Sequence, residues 1–182
     1  MLKIAILVEN MYEDLELWYP YLRLKEEGFT VDIVGTDAGV NYSSKHGYPA
    51  KSTVASSEVN AEDYEAVIVP GGYSPDYMRR CPKTIEFVRE MDRKGKLVAA
   101  ICHGPWIMAS ACKLKGKKVT SFYAIKDDLI NAGAQYVDEE VVVDGNLITS
   151  RTPADLIAFV REIIAKLKNK SETGRLWHRT GS

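Results

Sequence analysis

Short runs of contiguous apolar residues alternate along this chain with segments whose apolar positions recur every three or four residues. The runs at 3–8, 29–34, 66–69 and 97–101 are four to six residues long and end at Gly, Pro or polar residues. Each predicts a strand buried on both faces. Between them, residues 13–27 place Leu15, Leu17, Trp18, Tyr21, Leu22 and Leu24 at helical spacing, with Gly28 as the stop and Pro20 implying a kink or break. Residues 82–93 predict a second helix, closed by Gly95. Residues 106–114 predict a third, which places Cys112 well inside a helix. The stretch 35–57 is polar and Gly-containing, a loop with a small hairpin. Beyond Gly116, the pattern predicts a strand at 118–121, a short helix at 125–131 ending at Gly133, and a hairpin at 140–149 turning on Asp144-Gly145-Asn146. An amphipathic helix over 153–168 comes last.

Strands alternating with helices predict an α/β fold, a three-layer sandwich about a mostly parallel sheet with right-handed connections. Residues 1–168 read as one domain, without internal repeats. Residues 169–182 read as a polar tail without periodicity, whose closing Arg179-Thr180-Gly181-Ser182 looks vector-derived. In parallel sheets the ligand crevice lies beyond the carboxyl ends of the strands. Three segments follow such ends: 9–14, Gly71-Gly72 and Cys102-His103.

Composition removes several function classes. A formal net charge of −1 over 182 residues offers no phosphate-neutralising surface, so no nucleic-acid partner is expected. No apolar stretch reaches the roughly 18 residues of a membrane span, and Met1-Leu2-Lys3-Ile4 has no signal-peptide layout. Three cysteines without close pairing fit a reducing cytoplasm better than a disulfide framework.

Cys102 carries the chemistry. It stands where the strand at 97–101 meets a helix-like run beginning at Pro105, with small residues two before (Ala100) and two after (Gly104). That is the layout of a nucleophile elbow with Cys in place of Ser. A helix N-terminus favours negative charge, so the spacing predicts a lowered thiol pKa. His103 is either a general base or a residue whose backbone N–H matters more than its ring. An N–H from Gly71-Gly72 together with that of His103 would make an oxyanion hole. Glu13 and Asp14 either enter the crevice or simply complement the helix macrodipole. His46 reads as a solvated loop residue, Cys81 as a partly exposed residue at a helix start. No spacing resembles a structural zinc site.

Taken together, the segments Glu13-Asp14-Leu15-Glu16, Lys45-His46-Gly47-Tyr48, Val69-Pro70-Gly71-Gly72, Ala100-Ile101-Cys102-His103-Gly104-Pro105, Ile125-Lys126-Asp127-Asp128, Val141-Val142-Val143-Asp144-Gly145-Asn146 and Ser150-Arg151-Thr152-Pro153 resemble the PfpI family of intracellular cysteine proteases, within the class I glutamine amidotransferase-like superfamily. The match runs in order over residues 2–168. The resemblance implies a flavodoxin-like sandwich with Cys102 as nucleophile at the elbow. It implies that Glu13 hydrogen-bonds the sulfur, that the N–H groups of Gly72 and His103 form the oxyanion hole, and that a carboxylate of a neighbouring subunit orients the histidine. That carboxylate is Glu in the protease-type members; here it is Asp76, one methylene shorter. Phe122 stands where related members often have Tyr, with Tyr123 next to it.

The expected activity is that of a cysteine hydrolase of the protease or amidase type, free of metal and cofactor. It works as a homo-oligomer, dimer or hexamer, with the site near a subunit interface. The first alternative is a cofactor-independent glyoxalase III or deglycase acting on methylglyoxal-type aldehydes, with Cys102 adding to the aldehyde and Glu13 moving the proton. The second is a redox-sensing or chaperone-like stress protein working through Cys102 oxidation.

Overall fold

The computed structural model describes residues 2–179, without the side chains of 171–179. Strand β1 (Lys3–Leu7) leads to α1 (Asp14–Glu26) and β2 (Thr30–Gly35). The hairpin β3 (Asn41–Ser43) and β4 (Pro49–Lys51) and the short β5 (Val54–Ala55) follow. Next come β6 (Ala66–Val69), α2 (Ser74–Arg79), α3 (Pro82–Arg93), β7 (Leu97–Ile101) and α4 (Pro105–Ala111). The chain continues through β8 (Lys118–Val119), α5 (Lys126–Asn131), β9 (Gln135–Tyr136), β10 (Val141–Asp144), β11 (Leu147–Ser150) and α6 (Leu156–Arg179).

The main sheet has the order β10-β11-β7-β6-β1-β2-β5, parallel throughout except for β10 against β11. Side chains alternate across a pleated sheet, so each buried strand feeds two cores. Ile4, Ile6, Ile68, Ala99 and Ile101 pack with Leu17 and Leu24 of α1 and Phe159, Val160 and Ile163 of α6. Ala5, Leu7, Val67, Val69, Val98 and Ala100 pack with Met78, Phe87, Val88, Met91, Ile107 and Leu129 from α2 to α5. The expected three-layer, flavodoxin-like sandwich is therefore the fold. No helix among the described residues is long and apolar enough to cross a membrane.

Several local expectations shift. Helix α1 runs through Pro20 without a break. Proline's fixed φ suits a helix, so what it forfeits is one backbone hydrogen bond, and Pro20 lies buried on the core-facing side. Helix α2 has no counterpart in the pattern, because six residues are too few to show a period. Cys112 caps the end of α4 instead of lying inside it. Helix α6 begins at Leu156, after a turn of 3₁₀ helix, and its backbone continues to Arg179, beyond the boundary expected at 168. Leu167 is the last of its described side chains in the core, which is why the apolar period stops there. The vector-like Thr180-Gly181-Ser182, and the side chains of Trp177 and His178, lie outside the described residues.

Candidate active site

The sheet reverses its winding between β1 and β6, and the segments after β1, β6 and β7 meet there, as expected for a doubly wound fold. At the end of β7, Cys102 adopts φ 61°, a left-handed conformation that costs a residue with a Cβ roughly 1–2 kcal/mol. Its neighbours hold it there. The Cys102 N–H donates to Ser150 O (3.1 Å), Phe122 N–H donates to Cys102 O (2.9 Å) and Gly104 N–H to Ile101 O (2.8 Å). A Cβ on Gly104 would sit 2.8 Å from the Ile101 carbonyl oxygen, so only glycine lets the chain turn into α4. The sharp strand-to-helix turn is the elbow that the spacing predicts.

The backbone N–H groups of Gly72 and His103 both face the Cys102 sulfur, and His103 Nδ1 lies 3.3 Å from it. The His103 ring packs against Phe122 and Trp106, with centroids 5.0 and 5.2 Å away. Gly72 owes its place to a positive φ of 74° and to close packing: a Cβ there would lie 2.6 Å from Glu13 N and 2.8 Å from Tyr12 C. Replacing Gly72 by Ala is therefore expected to cost about 2–3 kcal/mol of stability and to slow iodoacetamide alkylation of Cys102. Chemical denaturation and a mass-spectrometric labelling time course would check both.

The carboxyl group against the sulfur is Glu16, not Glu13. Glu16 is fully buried, accepts the Gly71 N–H at 2.7 Å through Oε2, and interacts directly with the Cys102 thiol. Its Oε1 has no hydrogen-bond partner. Glu13, at the N-cap position of α1, also lines the cavity, but its carboxylate is engaged by Lys45 of the β3–β4 hairpin. The tertiary structure holds the reason. The buried residues of α1 are Glu16, Leu17, Pro20 and Leu24, whereas Leu15 and Leu22, expected on its apolar face, are exposed, so Glu16 is a carboxyl on a core-facing position.

Burial pushes the Glu16 carboxyl up to about 8, with the nearby Glu13 adding to the effect and the Gly71 N–H opposing it. The thiol moves opposite to expectation. Burial, then the Glu16 charge, push Cys102 up to about 12, against the N–H groups of Gly72 and His103 and the charge of Lys45. Helix α4 has only seven residues and starts beyond Gly104, so its dipole is too small and too far to win. At pH 7 both groups therefore hold their protons, and Glu16 is the first of the two to release one. Burial, then Lys45, lower the pKa of His103, which keeps its ring neutral at pH 7.

These groups open onto a cavity of about 370 Å³ walled by Met11, Tyr73, Phe122, Thr152 and Pro153, with Glu13, Glu16 and Lys45 as its charged lining. Two other surface hollows, of about 260 and 390 Å³, are lined by no Cys or His. Asp76 is not among the lining residues and pairs with Arg80 one turn along. Tyr123 does not line the cavity either; it is 76% exposed and rests on Phe122. His46, read as solvated, bonds Asp14 Oδ2 through Nδ1 at 2.7 Å. Glu13, Asp14 and His46 could together offer a metal three ligand atoms within 4.8 Å of one another, although Lys45 and Ser44 already engage the two carboxylates. Cys81 caps α3, 3.5 Å from Ser56 Oγ. Burial alone would raise its thiol pKa, but hydrogen bonds with Ser56 and Thr84 outweigh it and leave the pKa lowered. Burial pushes the Cys112 thiol far up.

The DJ-1/PfpI family pattern matches residues 2–166. Among similar proteins, the Pyrococcus furiosus protein named Deglycase PfpI is 49% identical over 92% of this chain and all of its own length. The Bacillus subtilis protein named Putative cysteine protease YraA is 45% identical over 91% of this chain and 98% of its own. Among solved structures, a two-domain protein of Anabaena variabilis with a DJ-1/ThiJ/PfpI-like and a ferritin-like domain superposes with a TM-score of 0.90 at 45% identity, covering 92% of this chain and 48% of that one. Drosophila melanogaster DJ-1beta follows with a TM-score of 0.85 at 28% identity, covering 91% of this chain and 90% of its own. With a family match across nearly its whole length and relatives of this identity, the chain belongs to the DJ-1/PfpI family.

Proposed function

We propose that this protein is a Cys102-dependent enzyme that converts small 2-oxoaldehydes, of which methylglyoxal is the simplest methylated member, to 2-hydroxy acids, and that it acts on their adducts as a deglycase. The observation that carries this reading is a proton-holding carboxyl, Glu16, buried against the nucleophilic sulfur beside a small cavity. Relatives named deglycase support it.

In the reaction, the Cys102 sulfur forms a bond to the aldehyde carbon and the carbonyl π pair moves onto oxygen. The N–H groups of Gly72 and His103, which face the sulfur, would receive that oxygen beside it, and neutral His103 passes the thiol proton to it. The product is a hemithioacetal. Glu16 as carboxylate takes the hydrogen of the former aldehyde carbon as a proton and returns it to the adjacent carbon, while the hemithioacetal hydroxyl gives its proton to the second oxygen, which leaves a 2-hydroxy thioester. Water cleaves the thioester, releasing the hydroxy acid and restoring the thiol. The balance is one water added per 2-oxoaldehyde, with no external oxidant or reductant.

Peptide or amide hydrolysis is the second reading, favoured by the 3.3 Å contact between His103 and the sulfur and by the name of the Bacillus relative. It needs a carboxylate to orient His103, and Asp76 is occupied by Arg80 in this chain. The two readings separate in one assay set: lactate formation from methylglyoxal without glutathione, beside peptide hydrolysis. Lactate with little peptide cleavage supports the proposal; the reverse overturns it. The proposal also sets the pH profile. The active form has lost one proton from the Glu16–Cys102 pair, whose first release is at about 8. Turnover is expected to rise about tenfold from pH 6 to pH 7 and to level off above the pKa.

A further inference from the structure

We infer that Lys45 holds the second oxygen of the substrate, and that this cation makes the site selective for 2-oxoaldehydes; the inference rests on the function proposed above. Among the described residues, Lys45 is the one Lys or Arg that lines the Cys102 cavity. Its charge acts on all three groups of the site, favouring the ionised forms of Cys102 and Glu16 and disfavouring protonated His103.

A surface lysine ordinarily wanders, and this one is mounted. The Lys45 N–H donates to Tyr12 O at 3.0 Å. On one side, Ser44 Oγ donates to Asp14 Oδ1 at 2.6 Å; on the other, His46 Nδ1 meets Asp14 Oδ2 at 2.7 Å. Both flanking residues are thus tied to one carboxylate at the start of α1. Buried Glu13 then grips the ammonium itself. An ammonium so held has lost much of its side-chain entropy before substrate arrives, which is the condition for electrostatic stabilisation at low reorganisation cost.

The chemistry says what it faces. When Cys102 takes the aldehyde carbon, the aldehyde oxygen goes to the N–H groups of Gly72 and His103. The adjacent keto oxygen gains negative charge as Glu16 removes the proton from the neighbouring carbon. Lys45 neutralises that charge, and at the end it faces the 2-hydroxyl the same oxygen has become. A monoaldehyde has no oxygen for it.

The test compares wild type, Lys45→Met and Lys45→Arg in two reactions: lactate formation from methylglyoxal and alkylation of Cys102 by iodoacetamide. Alkylation reads the thiol alone. Lys45→Met is expected to lower kcat/KM for methylglyoxal by about 50-fold or more and to slow alkylation less than about fivefold, both measured well below an unfolding temperature lowered by the loss of the cation from buried Glu13. Lys45→Arg is expected to recover most of the loss. Equal falls in both reactions would reduce Lys45 to a field acting through the sulfur and overturn the inference, as would methylglyoxal turnover kept by Lys45→Met. No lactate from the wild type would overturn the proposed function and this inference with it.

Discussion

Cys102→Ala is expected to abolish lactate formation from methylglyoxal, a loss of at least about 10³-fold, because in the proposed reaction the substrate stays bonded to the sulfur from addition to hydrolysis. The fold is expected to survive. The left-handed elbow is held by backbone hydrogen bonds to Ser150 and Phe122 that a side-chain change does not touch. A second variant separates chemistry from strain. Cys102→Gly removes the sulfur and also the Cβ that makes φ 61° costly. Cys102→Gly should therefore be as inactive as Cys102→Ala and more stable by about 1 kcal/mol, the αL penalty less glycine's extra chain entropy. Urea denaturation of the two variants, beside one activity assay, tests both halves. Turnover retained by either variant would remove Cys102 from the reaction.

Glu16→Gln should move stability and activity in opposite directions. The carboxyl has an ordinary value of 4.5 and is pushed up to about 8 by burial in the folded protein. Below pH 4.5 it is protonated in both folded and unfolded chains. Between those values the unfolded chain gives up the proton and the folded chain keeps it, so stability falls as pH rises. Above 8 both are ionised and the slope ends. At pH 7 the native Glu16 thus costs about 3 kcal/mol, by 1.36 kcal/mol per pH unit. A glutamine accepts the Gly71 N–H as the carboxyl does and has nothing to ionise. Glu16→Gln is expected to gain about 2–3 kcal/mol at pH 7, raising Tm by roughly 5–10 °C, and to gain little at pH 4. Lactate formation should drop about 10²–10³-fold, the usual worth of a proton-transfer group. Calorimetry at both pH values is decisive. An equal gain at pH 4 and pH 7 would mean that the effect is packing and that the carboxyl does not hold its proton.

These opposite movements express a feature of the site as a whole. A left-handed cysteine and a buried carboxyl are both costs, held by the sheet ends that surround them. The cavity is small and its polar groups converge on one sulfur, which suits a small carbonyl compound better than an extended peptide.

What the sequence settled is the local geometry. Contiguous apolar runs at 66–69 and 97–101 are strands because such runs bury both faces, and the Cys102 turn follows from small residues at Ala100 and Gly104. Gly72 beside the sulfur and the hairpin at Asp144-Gly145-Asn146 were legible for the same reason: each depends on neighbours within a few residues. Glu16 was not legible: the apolar positions of residues 13–27 run round the helix, the resemblance named Glu13 instead, and spacing along a helix does not say what lies against each face. The tertiary structure decided three things. It put Glu16 under Gly71, 55 residues away in the chain, and so raised its pKa. It reversed the expected shift of the thiol, because burial depends on the whole fold and outweighs a short helix's dipole. It also brought the β3–β4 hairpin over the site, turning Glu13 toward Lys45 and tying His46 to Asp14. Desolvation and long-range charge are properties of an assembled interior, and no window of sequence contains them.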